Sequence, residues 1–129
     1  MRLPSRANKP LGFAGEQAAA DFLQQQGYRV VATNFYARHG EIDIIAEDQN
    51  TRIFVEVKTR SREYFASSCV ITYKKQQSII KAALEYNYKT KWPRNKNTRF
   101  DVALVNPIGV SFAIRYIPNA FSVTTEAII

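Results

Sequence analysis

The chain has 129 residues, of which 46% are hydrophobic, and its 18 Lys and Arg against 11 Asp and Glu give a net charge of +7. This length and composition predict one globular domain over residues 1–129 and exclude intrinsic disorder. The single cysteine, Cys69, excludes an internal disulfide and a cysteine-based zinc site, and the apolar runs are too short to cross a membrane.

The first half of the chain predicts one helix followed by three strands. A basic segment at residues 1–11 leads into no apolar signal core, and together with the single cysteine this favours a cytoplasmic protein. Residues 12–26 have helical spacing and are followed by Gly27, a typical helix stop. The strands are rich in β-branched residues or alternate with period two, and they lie at 28–34, 41–46 and 52–59, with a turn at 47–51.

The second half predicts a loop, a long helix and two further strands. Residues 60–68 are polar and predict a loop, and Thr72 is a suitable N-cap for a helix that ends near Tyr88. The strands are expected at 99–105 and 110–117 around a turn at 106–109, before a C-terminal tail at 118–129. The order α-β-β-β-α-β-β predicts an α/β fold, with a mixed β-sheet flanked by helices.

The positive charge is concentrated in the middle of the chain. Residues 52–100 carry a net charge of +9, whereas each flanking segment carries −1. Clustered Lys and Arg interspersed with aromatic residues are typical of proteins that bind nucleic acid phosphates. A basic solvated face that serves only solubility is the alternative interpretation.

Four charged residues lie where their neighbours predict burial. Glu16 is at the centre of the apolar stripe of the first helix, Asp43 lies among isoleucines, and Glu56 and Lys58 share one face of a strand. Unpaired buried charges are costly, so these side chains must be paired or must bind an ion. Three carboxylates beside an ammonium suit phosphodiester hydrolysis assisted by Mg²⁺ or Mn²⁺. The alternative is an ion pair of Lys58 with Glu56 or Asp43 that serves only packing.

The segments GEIDIIA at 40–46 and FVEVKTR at 54–60 resemble the YraN-like family of small bacterial proteins. That family is placed in the PD-(D/E)xK, or restriction-endonuclease-like, nuclease superfamily, and the resemblance extends from about Gly12 to Leu104. It implies a restriction-endonuclease-like sheet and an endonuclease that hydrolyses DNA with Mg²⁺ or Mn²⁺. Branched and single-stranded DNA are the expected substrates.

The resemblance also implies roles for particular residues. Asp43, Glu56 and the Val57 carbonyl correspond to metal ligands, Glu16 to the helical acid that completes the metal shell, and Lys58 to the catalytic lysine. Neighbouring basic and polar residues are interpreted as nucleic-acid contacts, namely Arg60, Arg62, Lys74, Lys75 and Gln76.

The sequence leaves two other functions and the oligomeric state open, and it argues against a metal-binding role for Asp101. A nucleic-acid-binding module that keeps the nuclease fold without cutting is the alternative function. A structural domain with negligible DNA affinity is a third possibility, and both a monomer and a homodimer are compatible with the sequence. Asp101 is expected to pair with Arg99 or another basic residue rather than to bind metal.

Overall fold

The computed structural model describes residues 9–59 and 71–123. The elements follow the predicted α-β-β-β-α-β-β order and confirm the α/β class: α1 Lys9–Gln25, β1 Arg29–Ala37, β2 Gly40–Glu47, β3 Thr51–Thr59, α2 Tyr73–Thr90, β4 Asn97–Ile108 and β5 Ser111–Phe121. The predicted loop at 60–68, with Arg60 and Arg62, lies outside the described residues. No helix in the described ranges is both long and apolar enough to cross a membrane.

The five strands form one mixed sheet in the order β1-β2-β3-β4-β5. Neighbouring strands are antiparallel except β3 and β4, which are parallel and are connected through α2. A parallel pair needs such a crossover, because the chain must return to the starting end of the sheet. Consequently the first turn of α2 lies near the end of β3, and the last turn of α2 lies near the start of β3.

The two helices cover opposite faces of the sheet. α1 contributes Ala19, Ala20 and Leu23 to a core with alternate sheet residues that include Val55 and Val105. α2 contributes its own apolar stripe to the second core, with Phe54 and Leu104 among its sheet residues. Residues 52–56 of the central strand β3 are buried, and its apolar residues 53–55 pack into both cores, as is typical of a strand that is covered on both faces.

The last hairpin corrects the predicted turn. Ile108 pairs with Ser111, so Gly109 and Val110 form a two-residue turn in which Gly109 has a positive φ of 59°. The turn predicted at 106–109 is therefore wrong, because Asn106 and Pro107 extend β4. Proline is tolerated at 107 because the pairing of β4 with β3 ends at Val105. Beyond that point, within the described part of the chain, no neighbouring strand on the β3 side needs a hydrogen bond from the nitrogen of residue 107.

Gly15 allows α1 to approach the end of β3. A Cβ at Gly15 would lie 2.1 Å from Thr59 Oγ1, whereas a Cβ at Gly12 would meet nothing within 4 Å. We expect Gly12→Ala to raise the free energy of unfolding by about 0.5–1 kcal/mol through helix propensity. Gly15→Ala is expected to lower it, because Thr59 or the helix must move. Urea denaturation of these matched variants checks both, and equal gains would contradict the close approach.

One basic residue of the positively charged segment 52–100, Arg52, is buried and stabilises the fold. The Arg52 guanidinium is buried, pairs with Glu47 at 2.9 Å and donates to Asn87 and Thr90 near the end of α2. It also lies 4.2 Å from the ring centre of Trp92. Arg52 and Trp92 therefore stabilise the packing of α2 on β3. Because its guanidinium is buried, Arg52 is not one of the basic residues that a nucleic acid could contact.

Candidate active site

The candidate site lies where β2 and β3 separate. Their pairing ends with Ile44 opposite Val55. Ile42 and Ile44 pack in the cores on opposite faces of the sheet, so the alternation of side chains breaks at Asp43. The Asp43 carboxylate instead accepts a hydrogen bond of 2.8 Å from the Val57 N–H. This contact holds the carboxylate in the gap between the two strands.

Glu56 lies next to Asp43 and is almost fully buried. The two side chains are hydrogen-bonded to each other. Burial, and after it the nearby Asp43 charge, raises the pKa of Glu56 to about 8 against the opposing charges of Lys75 and Lys58. Burial also raises the pKa of Asp43, although its hydrogen bond from Val57 opposes this shift. The acid pair, Asp43 with Glu56, is therefore difficult to ionise fully unless a cation binds beside it.

Glu16 approaches Asp43 from the side of α1. Burial raises the pKa of Glu16 to about 7, with a further contribution from the Asp43 charge, while a hydrogen bond with Asn34 opposes the shift. Asn34 itself adopts a positive φ of 51° on β1. Asp43 is thus electrostatically coupled both to Glu16 and to Glu56. In residues 9–59 and 71–123, however, no three Asp, Glu, His or Cys side chains are gathered closely enough to hold a metal ion together.

The cation beside the acid pair comes from α2. Lys75 Nζ lies 3.8 Å from Glu56 Oε2, whereas Lys58 forms no ion pair with either acid within the described part of the chain. The purely structural pairing of Lys58 with Glu56 or Asp43 is therefore not formed. The sequence indicated Lys75 only as a nucleic-acid contact, although the crossover from β3 already places the first turn of α2 near Glu56.

The start of α2 combines a helix cap with two lysines. Thr72 Oγ1 accepts a hydrogen bond from the Lys75 N–H, which confirms Thr72 as the N-cap. The Gln76 side chain donates to the Ile71 carbonyl at 2.9 Å, and Lys74 is exposed. Positive side chains are unfavourable at the positive end of a helix dipole, and a bound anion would relieve this cost.

Removing the Glu56 charge is expected to stabilise the metal-free protein at high pH. Its pKa in the folded state, about 8, lies above the ordinary value of 4.5, so the unfolded chain loses its proton first. Stability therefore falls as pH rises between these values. We expect Glu56→Gln to raise the free energy of unfolding at pH 8 by about 1–3 kcal/mol, with little effect below pH 4.5.

Urea denaturation in EDTA across this pH range measures that difference. Glu85→Gln is the matched control, because Glu85 lies in α2 and pairs with Lys89 away from the acid pair. A constant difference at all pH values would contradict a buried carboxyl that becomes charged within the window.

Comparison with known proteins identifies close relatives in sequence. Residues 15–105 match the family described as "Uncharacterised protein family UPF0102". A "UPF0102 protein" from Trichlorobacter lovleyi is 44% identical over 124 residues, which cover 94% of this chain and 97% of that protein. Another from Clostridium botulinum (strain Loch Maree / Type A3) is 40% identical over 119 residues, which cover 90% of this chain and 97% of that protein.

Proposed function

We propose that this chain, which belongs to the UPF0102 or YraN-like family, is a divalent-metal-dependent endonuclease that hydrolyses phosphodiester bonds in DNA. The observation that carries the proposal is the acid pair in the gap between β2 and β3, with lysines from β3 and α2 beside it. Carboxylates that are buried without a full complement of cations favour either protonation or a metal ion.

The donor chemistry fits Mg²⁺ or Mn²⁺. Asp43 and Glu56 supply hard oxygen ligands, the Val57 carbonyl is part of the same backbone segment, and Glu16 is electrostatically coupled to Asp43. Asp43 and Glu56 would hold the ion with the Val57 carbonyl, and Glu16 would add negative charge from the side of α1. When bound, the ion would polarise the scissile phosphate and favour ionisation of a water molecule.

The lysines supply positive charge where the reacting phosphate gains negative charge. Lys58 is half-buried on β3 and is not committed to an ion pair with Asp43 or Glu56. Its ammonium is therefore available to orient the attacking water and to stabilise the transition state. Lys74, Arg60 and Arg62 are assigned to the flanking DNA phosphates, since their charges lie close to the motif in sequence.

Cleavage of a panel of DNA substrates tests the proposal. Branched, flapped, single-stranded and duplex DNA are incubated with the full chain in Mg²⁺, in Mn²⁺ and in EDTA. We expect cleavage of the branched or single-stranded DNA with metal and none in EDTA. Absence of cleavage from every substrate, at protein concentrations that saturate DNA binding, would contradict the nuclease assignment.

A nucleic-acid-binding module without catalysis is the second candidate. The observation that favours it is the absence of three closely gathered metal-ligating side chains in the described ranges. This candidate predicts salt-dependent DNA binding together with no Mn²⁺ binding in calorimetry.

A nuclease that cuts both strands of a duplex needs two active sites, so we also propose that the protein acts on duplex DNA as a homodimer. Sedimentation of the complex with duplex DNA measures its stoichiometry.

A further inference from the structure

We infer that Lys75 couples metal binding to DNA binding. In the free protein its ammonium lies beside Glu56, on the solvent side of the acid pair. A divalent cation that binds the acid pair would displace this ammonium toward a DNA phosphate. The inference rests on the proposed function for the identity of the second ligand. Lys75 would thus be a positioning residue that neutralises the acids in the free protein and binds substrate in the loaded one.

The position of Lys75 is suited to such an exchange. Its side chain is 39% exposed, whereas that of its partner Glu56 is 8% exposed, so the ammonium lies between the buried acid and solvent. The separation of 3.8 Å is longer than a direct hydrogen bond. The backbone of Lys75 is fixed by the Thr72 cap, so only its four-carbon side chain needs to move.

The charge of Lys75 acts on both members of the acid pair. It opposes the upward shift in the pKa of Asp43 and of Glu56, and for Glu56 its effect exceeds that of Lys58. A divalent cation on the same carboxylates would be repelled by this ammonium at short range in a partly buried site. The ion and the ammonium therefore compete for one pair of acids.

Once displaced from Glu56, the Lys75 ammonium could pair with a DNA phosphate bound at the first turn of α2. The first turn of α2 already carries the exposed Lys74 and the positive end of the helix dipole. A phosphate placed there would gain a second cation when Lys75 leaves Glu56. By linkage, a ligand that withdraws Lys75 from the acids must strengthen metal binding, and metal must strengthen DNA binding by the same factor.

Calorimetric titration with Mn²⁺ alone tests the competition. We expect Lys75→Gln to bind Mn²⁺ about fivefold or more tightly than the unsubstituted chain. Lys75→Arg keeps the charge and is expected to bind like the unsubstituted chain. Lys81→Gln is the matched control, because it removes an exposed charge from the same helix and forms no ion pair with an acid in the described ranges.

Fluorescence anisotropy with a single-stranded oligonucleotide tests the coupling. Ca²⁺ replaces Mn²⁺ here so that the DNA remains intact. The gain in DNA affinity on adding Ca²⁺ is expected to be larger for the unsubstituted chain than for Lys75→Gln. An equal gain would overturn the coupling.

The outcomes separate this inference from the proposed function. Equal or weaker Mn²⁺ binding by Lys75→Gln, while the unsubstituted chain cleaves DNA with metal, would overturn the inference alone. No Mn²⁺ binding by any of these proteins would overturn the inference and the metal-dependent nuclease together. Circular dichroism melts show whether each variant is folded at the temperature of titration.

Discussion

Asp43→Asn is expected to lower the rate of metal-dependent DNA cleavage by about 10²–10³-fold or more. Asn keeps the size of the side chain and an oxygen that accepts from the Val57 N–H, so the gap between β2 and β3 stays filled. What is lost is the negative charge that the proposed metal ion would bind and that raises the pKa of both Glu16 and Glu56. Lys58→Ala is expected to cause a comparable loss, because the developing charge on the phosphate loses its ammonium.

Single-turnover cleavage measures both effects, with DNA binding and thermal melting recorded on the same samples. Glu85→Gln serves as the control for removal of a carboxylate, since Glu85 pairs with Lys89 on α2 away from the acid pair. Full activity in Asp43→Asn or Lys58→Ala would exclude the roles proposed for them. Activity lost together with folding would instead assign Asp43 to stability.

Asp101→Ala is expected to lower the free energy of unfolding by about 3–5 kcal/mol. The Asp101 carboxylate is fully buried and accepts hydrogen bonds from the Arg99 guanidinium at 2.7 and 2.9 Å, the Tyr116 hydroxyl and the Asn119 N–H. Removing it leaves a cation and two further donors without their acceptor. These contacts add a buried side-chain link between β4 and β5 to the backbone pairing of the two strands.

Urea denaturation measures this loss, and Asp101→Asn separates charge from hydrogen bonding because it keeps an acceptor of similar size. We expect Asp101→Asn to fall between the unsubstituted chain and Asp101→Ala. The surface pair of Lys89 with the partly exposed Glu85 gives the contrast, since Glu85→Ala is expected to leave the unfolding midpoint nearly unchanged. A loss of less than about 1 kcal/mol in Asp101→Ala would contradict a buried network that stabilises the sheet.

The predicted pairing of Asp101 with Arg99 is confirmed because it depends on local geometry. Residues two apart on one strand face the same way, so Arg99 and Asp101 are within reach of each other once β4 forms. The same argument explains the Thr72 cap, which needs only one turn of helix. The hairpin turn was misplaced because Asn106 and Pro107 have strong turn propensity, whereas their pairing with β5 keeps them in the strand.

Interactions between distant segments behave differently. The alternation around Asp43 predicted a buried carboxylate, but not that β2 and β3 separate there or that the Val57 N–H is its partner. Likewise, Glu56 and Lys58 suggested an ion pair within one strand, whereas the structure pairs Glu56 with Lys75. The charge total of residues 52–100 could not show that Arg52 is buried by α2.

Local sequence patterns were sufficient to predict the order of the elements, the apolar faces and the four charged residues that are costly to bury. Hydrophobic periodicity, capping and turn chemistry act over a few residues, so they can be interpreted without knowing the fold. In contrast, the position of the acid pair in a gap between strands and its pairing with Lys75 depend on contacts between distant segments. The parallel pairing of β3 with β4 requires α2 to return across the sheet, and that path brings its first turn to Glu56.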